Sequence, residues 1–118
     1  MDYKKFINSI KIGISNHKFN LKTISYFKKD TVGLSIWICL VERHYNNNNN
    51  NNNIENILKE LSNVVASRPK FFKIINNAIS IGYLIKEANI NDKRKFNIYL
   101  SKQSIKEFEE WAKIFKGF

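Results

Sequence analysis

Six cations fall in two short stretches of the chain, Arg68, Lys70 and Lys73 in the first and Lys93, Arg94 and Lys95 in the second. Grouped guanidinium and ammonium groups donate to phosphate oxygens, and arginine can also read a base edge through two parallel hydrogen bonds. That is binding chemistry. No comparable constellation supports bond-making. There is no serine, histidine and acid set around a strained nucleophile turn and no glycine-rich phosphate loop, and Glu109 and Glu110, being adjacent, leave a helix on different sides. No enzyme is expected. His17 and His44 lie far apart with no cysteine cluster near them, so neither a metal site nor a cofactor is expected.

The first cation group opens a helix. Ser67 suits an N-cap, Pro69 tolerates the first turn because its missing N–H is not needed there, and Phe71, Ile74, Ile75 and Ala78 recur at the spacing of one buried face. Gly82 closes it, as a left-handed cap would. Asn76 and Asn77 can bond adenine, but two turns into the helix they fit a solvated face better. The second group occupies the tip of a hairpin. Residues 83–87 and 95–101 read as its strands, the latter alternating Phe96, Ile98 and Leu100 with Asn97, Tyr99 and Ser101, and Asn91-Asp92-Lys93-Arg94-Lys95 joins them. Ahead of both, Ile54, Ile57, Leu58 and Leu61, extended by Val64, define a short helix. A tight connection at 62–66 makes residues 54–82 a helix-turn-helix unit, and the hairpin at 83–101 is its wing.

The remaining elements must support this frame. Tyr3, Phe6, Ile7, Ile10 and Ile14 mark an amphipathic helix over 1–15, followed by a loop with one short helical turn up to Lys29. Asp30 or Thr31 can cap a central helix over 31–45, in which Leu34, Trp37, Ile38 and Val41 form one stripe that Ile36 and Leu40 widen. Eight consecutive asparagines at 46–53 have nothing apolar to bury and compete for backbone hydrogen bonds, so a solvated linker is expected rather than a strand or helix. A C-terminal helix over 102–117 carries Ile105, Phe108, Trp111, Ala112 and Phe115, with Ser104 and Glu107 spaced as a capping box. Cys39 lies in a strongly apolar run and is expected to pack in the core rather than to sense redox state. Terminal helices with two aromatic faces exceed what the frame needs to bury. Phe6, Ile10, Phe108, Trp111 and Phe115 are therefore expected to form a homodimer seam, the alternative being that some of them seal the chain's own core.

With 118 residues, 43% of them apolar, one domain is expected, mainly α with a small β-hairpin wing. Twenty Lys and Arg against ten Asp and Glu leave a net charge of +10, which favours a polyanionic partner, although the wide use of Lys, Asn, Ile, Phe and Tyr is also what A+T-rich codon usage produces. No apolar run approaches the roughly 20 residues that span a bilayer, and the N-terminus lacks the apolar centre of a signal peptide. A cytoplasmic, nucleoid-associated protein is expected, with no membrane contact.

The order of these elements resembles the MarR family of bacterial transcription regulators and, in size, its SarA-like branch. Ser67-Arg68-Pro69 resembles the family's serine-arginine-polar opening of the recognition helix, and Gly82 stands where that helix gives way to the wing. Asp92-Lys93-Arg94 is similar to the acidic-basic-arginine wing motif, and Ser101 stands where the family has Thr or Ser before its C-terminal helix. The likeness covers residues 30–101 in order and spacing, and the terminal helices more loosely. It implies binding of duplex DNA as a homodimer, the recognition helix in the major groove and the wing in the adjacent minor groove. Carried onto this sequence, Ser67 and Arg68 face bases or phosphates, with Arg68 the base contact, and Lys70 and Lys73 anchor phosphates. Arg94 enters the minor groove, oriented by Asp92, and Lys93 and Lys95 take the flanking backbone. Three departures stand out. The turn at 63–66 lacks the usual glycine, the asparagine run replaces a connection that often carries a short strand, so only two strands are expected, and the final helix is short. Relatives often bind small phenolic effectors, but nothing in this sequence identifies one. Two other readings remain open, a winged-helix module that binds protein and a nucleoid-type DNA binder without sequence preference.

Overall fold

The computed structural model describes residues 3–5, 7–8, 11, 22–46, 52–65, 67–89, 92 and 94–113. Its elements are α1 (Lys22–Phe27), α2 (Thr31–Tyr45), α3 (Ile54–Glu60), α4 (Arg68–Ile81), β1 (Leu84–Ala88), β2 (Phe96–Leu100) and α5 (Lys102–Ala112). Ahead of α1 the backbone is helical at 3–5, 7–8 and 11, with Tyr3 and Ile7 exposed. Phe6, Ile10, Ile14, Phe115 and Gly117 lie outside the described residues.

The helix starts follow local chemistry. Asp30 caps α2 by accepting from the Val32 N–H at 2.8 Å, and Ser67 caps α4 by accepting from the Lys70 N–H at 3.3 Å. The far end of α4 is a Schellman turn, in which Gly82 at φ 98° lets the Tyr83 N–H reach the Ala78 carbonyl at 2.9 Å and its own N–H reach Ile79 at 3.2 Å. The expected capping box of Ser104 and Glu107 does not form. Ser101 is the N-cap of α5, three residues earlier, and accepts from the Ser104 N–H at 3.2 Å. Ser104 and Glu107 are instead buried and bond elsewhere in the chain.

Phe27, Ile36, Leu40, Ile57, Phe71, Ile75, Leu84 and Ile98 are almost wholly withdrawn from solvent and make one core between α1, α2, the helix-turn-helix and the hairpin. The central helix turns a different face to it than its periodicity suggested. Val32, Gly33, Ile36, Trp37 and Leu40 point inward, whereas Leu34 and Ile38 are exposed and Val41 is half-buried. A helix apolar nearly all round leaves its buried side open until a neighbour chooses it, and here α1 chooses it at Gly33. A Cβ built on Gly33 would stand 2.6 Å from the carbonyl oxygen of Phe27, so only glycine lets the two backbones approach this closely. Gly33→Ala is expected to cost about 2 kcal/mol by forcing α1 and α2 apart, measurable as a lowered denaturation midpoint. A midpoint within error of the native chain would contradict this packing.

The hairpin pairs antiparallel from Leu84 opposite Leu100 to Ala88 opposite Phe96. Its other side corrects the reading of the asparagine run. Asn52 and Asn53 are buried, and the Asn52 amide donates to the Ile98 carbonyl at 2.8 Å while the Ile98 N–H donates back to the Asn52 carbonyl at 2.9 Å. Asn53 bridges Asn97 and also caps α3 by accepting from the Glu55 and Asn56 N–H groups. The last two asparagines are thus an isolated bridge to the wing strand and a helix cap, not solvated linker. Asparagine manages both because its side chain mimics a peptide group.

Candidate nucleic-acid interface

The first turn of α4 carries its cations on the outside. Ser67, Arg68, Lys70 and Lys73 are exposed, and Asn76 and Asn77 continue the same solvent-facing surface along the helix. The apolar residues of α4 mostly do not share that surface. Phe71 is fully buried, Phe72 and Ile79 are half-buried against the core, and Ile81 alone among these is largely exposed. Behind the helix, the Tyr26 hydroxyl donates to the Ile74 carbonyl at 2.7 Å, and burial followed by the neighbouring Tyr83 pushes the Tyr26 phenol above its usual range.

Two of these cations are already paired. Arg68 bonds Glu55 in the first turn of α3 and lies over the Phe72 ring, its guanidinium carbon 5.0 Å from the ring centre. Lys70 meets Asp30, the cap of α2, at 2.5 Å. The bond from Lys70, with the Val32 N–H second, holds the Asp30 carboxyl below the ordinary aspartate range. Lys73 has no ion-pair partner among the described residues.

At the wing tip, Asp92 Oδ1 accepts from the Arg94 N–H at 3.0 Å and from its Nε at 3.3 Å, and the Asp92 N–H donates to the Asn89 side chain at 3.1 Å. One carboxylate oxygen therefore closes the turn and aims the guanidinium, whose side chain is 91% exposed. The Arg94 backbone N–H first, then its guanidinium, lowers the Asp92 pKa. With a depressed folded-state value, the aspartate's contribution is present above its unfolded pKa and is lost only as pH falls through the lower folded one. Lys95 is exposed beside Arg94, and Lys93 lies outside the described residues.

The helix-turn-helix, its cap by Asn53 and the two-stranded hairpin, which Asn52 and Asn53 bond along one edge, form a winged helix. A MarR-like transcription regulator from Bacillus cereus superposes with a TM-score of 0.55 at 17% identity, over 98% of this chain and 77% of its own. A point mutant of S. aureus MepR, bound to an oligodeoxyribonucleotide, gives the same TM-score, identity and coverage. A MarR transcriptional regulator from Methanosarcina mazei gives 0.51 at 18% identity, over 91% of this chain and 81% of its own. The fold is that of the MarR regulators. No protein-family model and no curated protein matches the sequence, so the likeness to MarR proteins is one of structure.

On this MarR-type frame, Phe108 and Trp111 of the expected seam pack on Trp37 of their own chain, each with ring centroids 5.7 Å from it, and both remain half-exposed. Sequence reasoning also missed the carboxylates beside the cations, since Glu55–Arg68 and Asp30–Lys70 are tertiary contacts without a local signature.

Cys39 is buried, and its thiol donates to the Glu60 carboxylate at 2.7 Å, which also pairs with Arg43. Burial first, then Glu60, pushes the thiol up to about 11. Because the folded value is raised, the neutral thiol's contribution is complete below the unfolded value near 9 and is lost as pH climbs through 11. Alkylation of Cys39 by iodoacetamide at pH 7.5 should run about a hundredfold slower in the native chain than after unfolding. Equal rates would contradict the burial.

Proposed function

We propose that this chain is a transcriptional regulator that binds duplex DNA as a homodimer. The helix α4 enters the major groove, where Arg68 contacts a base edge and Ser67, Lys70 and Lys73 hold phosphates. The wing enters the adjacent minor groove with Arg94, oriented by Asp92 and flanked by Lys93 and Lys95 on the backbone. The observation that carries this reading is the sorting of α4, whose cations face solvent while all but one of its large apolar side chains turn toward the core. A protein-binding module would present the opposite surface. The MepR neighbour, in a complex with DNA, supports the same reading by likeness of fold.

The physics is additive. The N–H groups opening α4 carry partial positive charge, and the lysines release counterions from the backbone, which positions the helix without choosing a sequence. Base discrimination then falls to arginine, at about 1–3 kcal/mol for a bidentate contact. Phe6, Ile10, Phe108, Trp111 and Phe115 supply the seam between two copies, and two-fold symmetry sets half-sites about 34 Å apart. The protein works in the cytoplasm, at the nucleoid.

The test is the salt dependence of binding to a labelled duplex. Six or more phosphate contacts across a dimer predict an affinity that falls about a thousandfold between 50 and 200 mM salt. Affinity that is absent, or indifferent to salt, would refute the proposal.

A further inference from the structure

Arg68 does not hang free on the recognition surface. Its Nη2 bonds Glu55, and its guanidinium carbon lies over the Phe72 ring, 5.0 Å from the ring centre. An anionic acceptor at one nitrogen and an aromatic ring beneath the cation are two separate attractions that restrict where the guanidinium can point. Both side chains of the pair are more than half exposed, at 58% and 57%, so the contact adds little to folding stability. Its consequence is for whatever Arg68 meets.

Guanidinium has five N–H donors, and the bond to Glu55 uses one of them. Donors left over can still face a pair of acceptors such as O6 and N7 of a guanine. The carboxylate also repels phosphate, which the open N–H groups of α4 and the exposed Lys73 would otherwise draw toward this corner. Lys70 is counter-charged in the same way by Asp30, yet an ammonium is a point charge with rotating donors, so pairing there orients no fork.

We infer that Glu55 is a positioning residue for sequence discrimination: it holds Arg68 for a base edge and weakens its attraction to phosphate. The inference rests on the DNA-binding reading above and makes selectivity, more than affinity, depend on Glu55.

The test compares the native chain, Glu55→Gln, Arg68→Ala and the double variant. Each is titrated at several salt concentrations with the best duplex selected from a random pool and with a random duplex of equal length. Glu55→Gln should bind the random duplex about threefold to tenfold tighter, with a salt slope steeper by about one phosphate contact per copy. Its preference for the selected duplex should drop about tenfold, the scale of one base contact. In the Arg68→Ala background the same substitution should leave the preference unchanged, because the residue acts through Arg68. Its melting temperature should match that of the native chain. Undiminished preference in Glu55→Gln, or an equal loss in the Arg68→Ala background, overturns the inference while the DNA-binding reading stands. A native chain that binds no duplex overturns both, and one that binds every duplex alike overturns the inference together with the base contact of Arg68, while duplex binding itself stands.

Discussion

Glu107→Ala is expected to lower the melting temperature by about 10 °C. Glu107 is 7% exposed, and its two oxygens accept from the Thr23 N–H at 3.1 Å and from the Thr23 hydroxyl at 2.7 Å. Thr23 is fully buried in the first turn of α1, a helix of six residues with no acidic side chain of its own in that turn. So short a helix is marginal alone, and a carboxylate from α5 supplies the acceptor that its opening N–H groups need. Truncation orphans two buried donors at about 1–3 kcal/mol each. A total near 3 kcal/mol corresponds to roughly 10 °C in a domain of this size. The damage should spread along α1 into Ile24 and Phe27 in the core and Tyr26 behind α4. It should also reach the wing root, since Ser104, beside Glu107, donates to the Tyr83 carbonyl at 2.6 Å. Thr23→Val, which removes the hydroxyl and keeps its shape, should cost less than half as much. A Glu107→Ala midpoint within about 3 °C of the native one would contradict this account, since it would leave the orphaned donors costing less than the 1–3 kcal/mol expected of each.

Arg68→Ala combined with Arg94→Ala should weaken binding to the preferred duplex about a thousandfold. Each arginine is assigned about 1–3 kcal/mol of sequence-dependent contact. They stand on separate elements, α4 and the wing tip, so their losses should nearly add. Neither is buried, so folding should be unaffected, and an unchanged melting temperature separates lost contact from lost structure. The single variants should differ in kind. Arg68→Ala relaxes preference at a major-groove position, whereas Arg94→Ala relaxes preference for a narrow, A·T-rich minor groove. A double variant that binds within threefold of the native chain would remove both side chains from the interface.

What could be read from sequence was what local chemistry determines. Ser67, Pro69 and Gly82 bound α4 because capping acts within four residues. The strands were placed to within one residue of β1 and β2, because Phe96, Ile98 and Leu100 alternate. The misreadings share a long-range cause. Glu107 matched a capping-box spacing, but its partner is 84 residues away. Asn52 and Asn53 sit in a homopolymer with no periodicity, and their partners, Ile98 and Asn97, lie more than forty residues further along the chain. The buried side of α2 was misjudged because the helix is apolar nearly all round, and Gly33, which decides it, has no side chain to mark a face. The cations of the candidate interface were legible, as was Asp92 beside Arg94, but Glu55 and Asp30, the partners of Arg68 and Lys70, were not.

Whether this surface reads DNA sequence is decided by selection from a random-sequence duplex pool at about 150 mM salt. The native chain should enrich a pseudo-palindrome with half-sites about one helical turn apart, roughly 34 Å. Recovery of no enriched sequence from a chain that folds would contradict it.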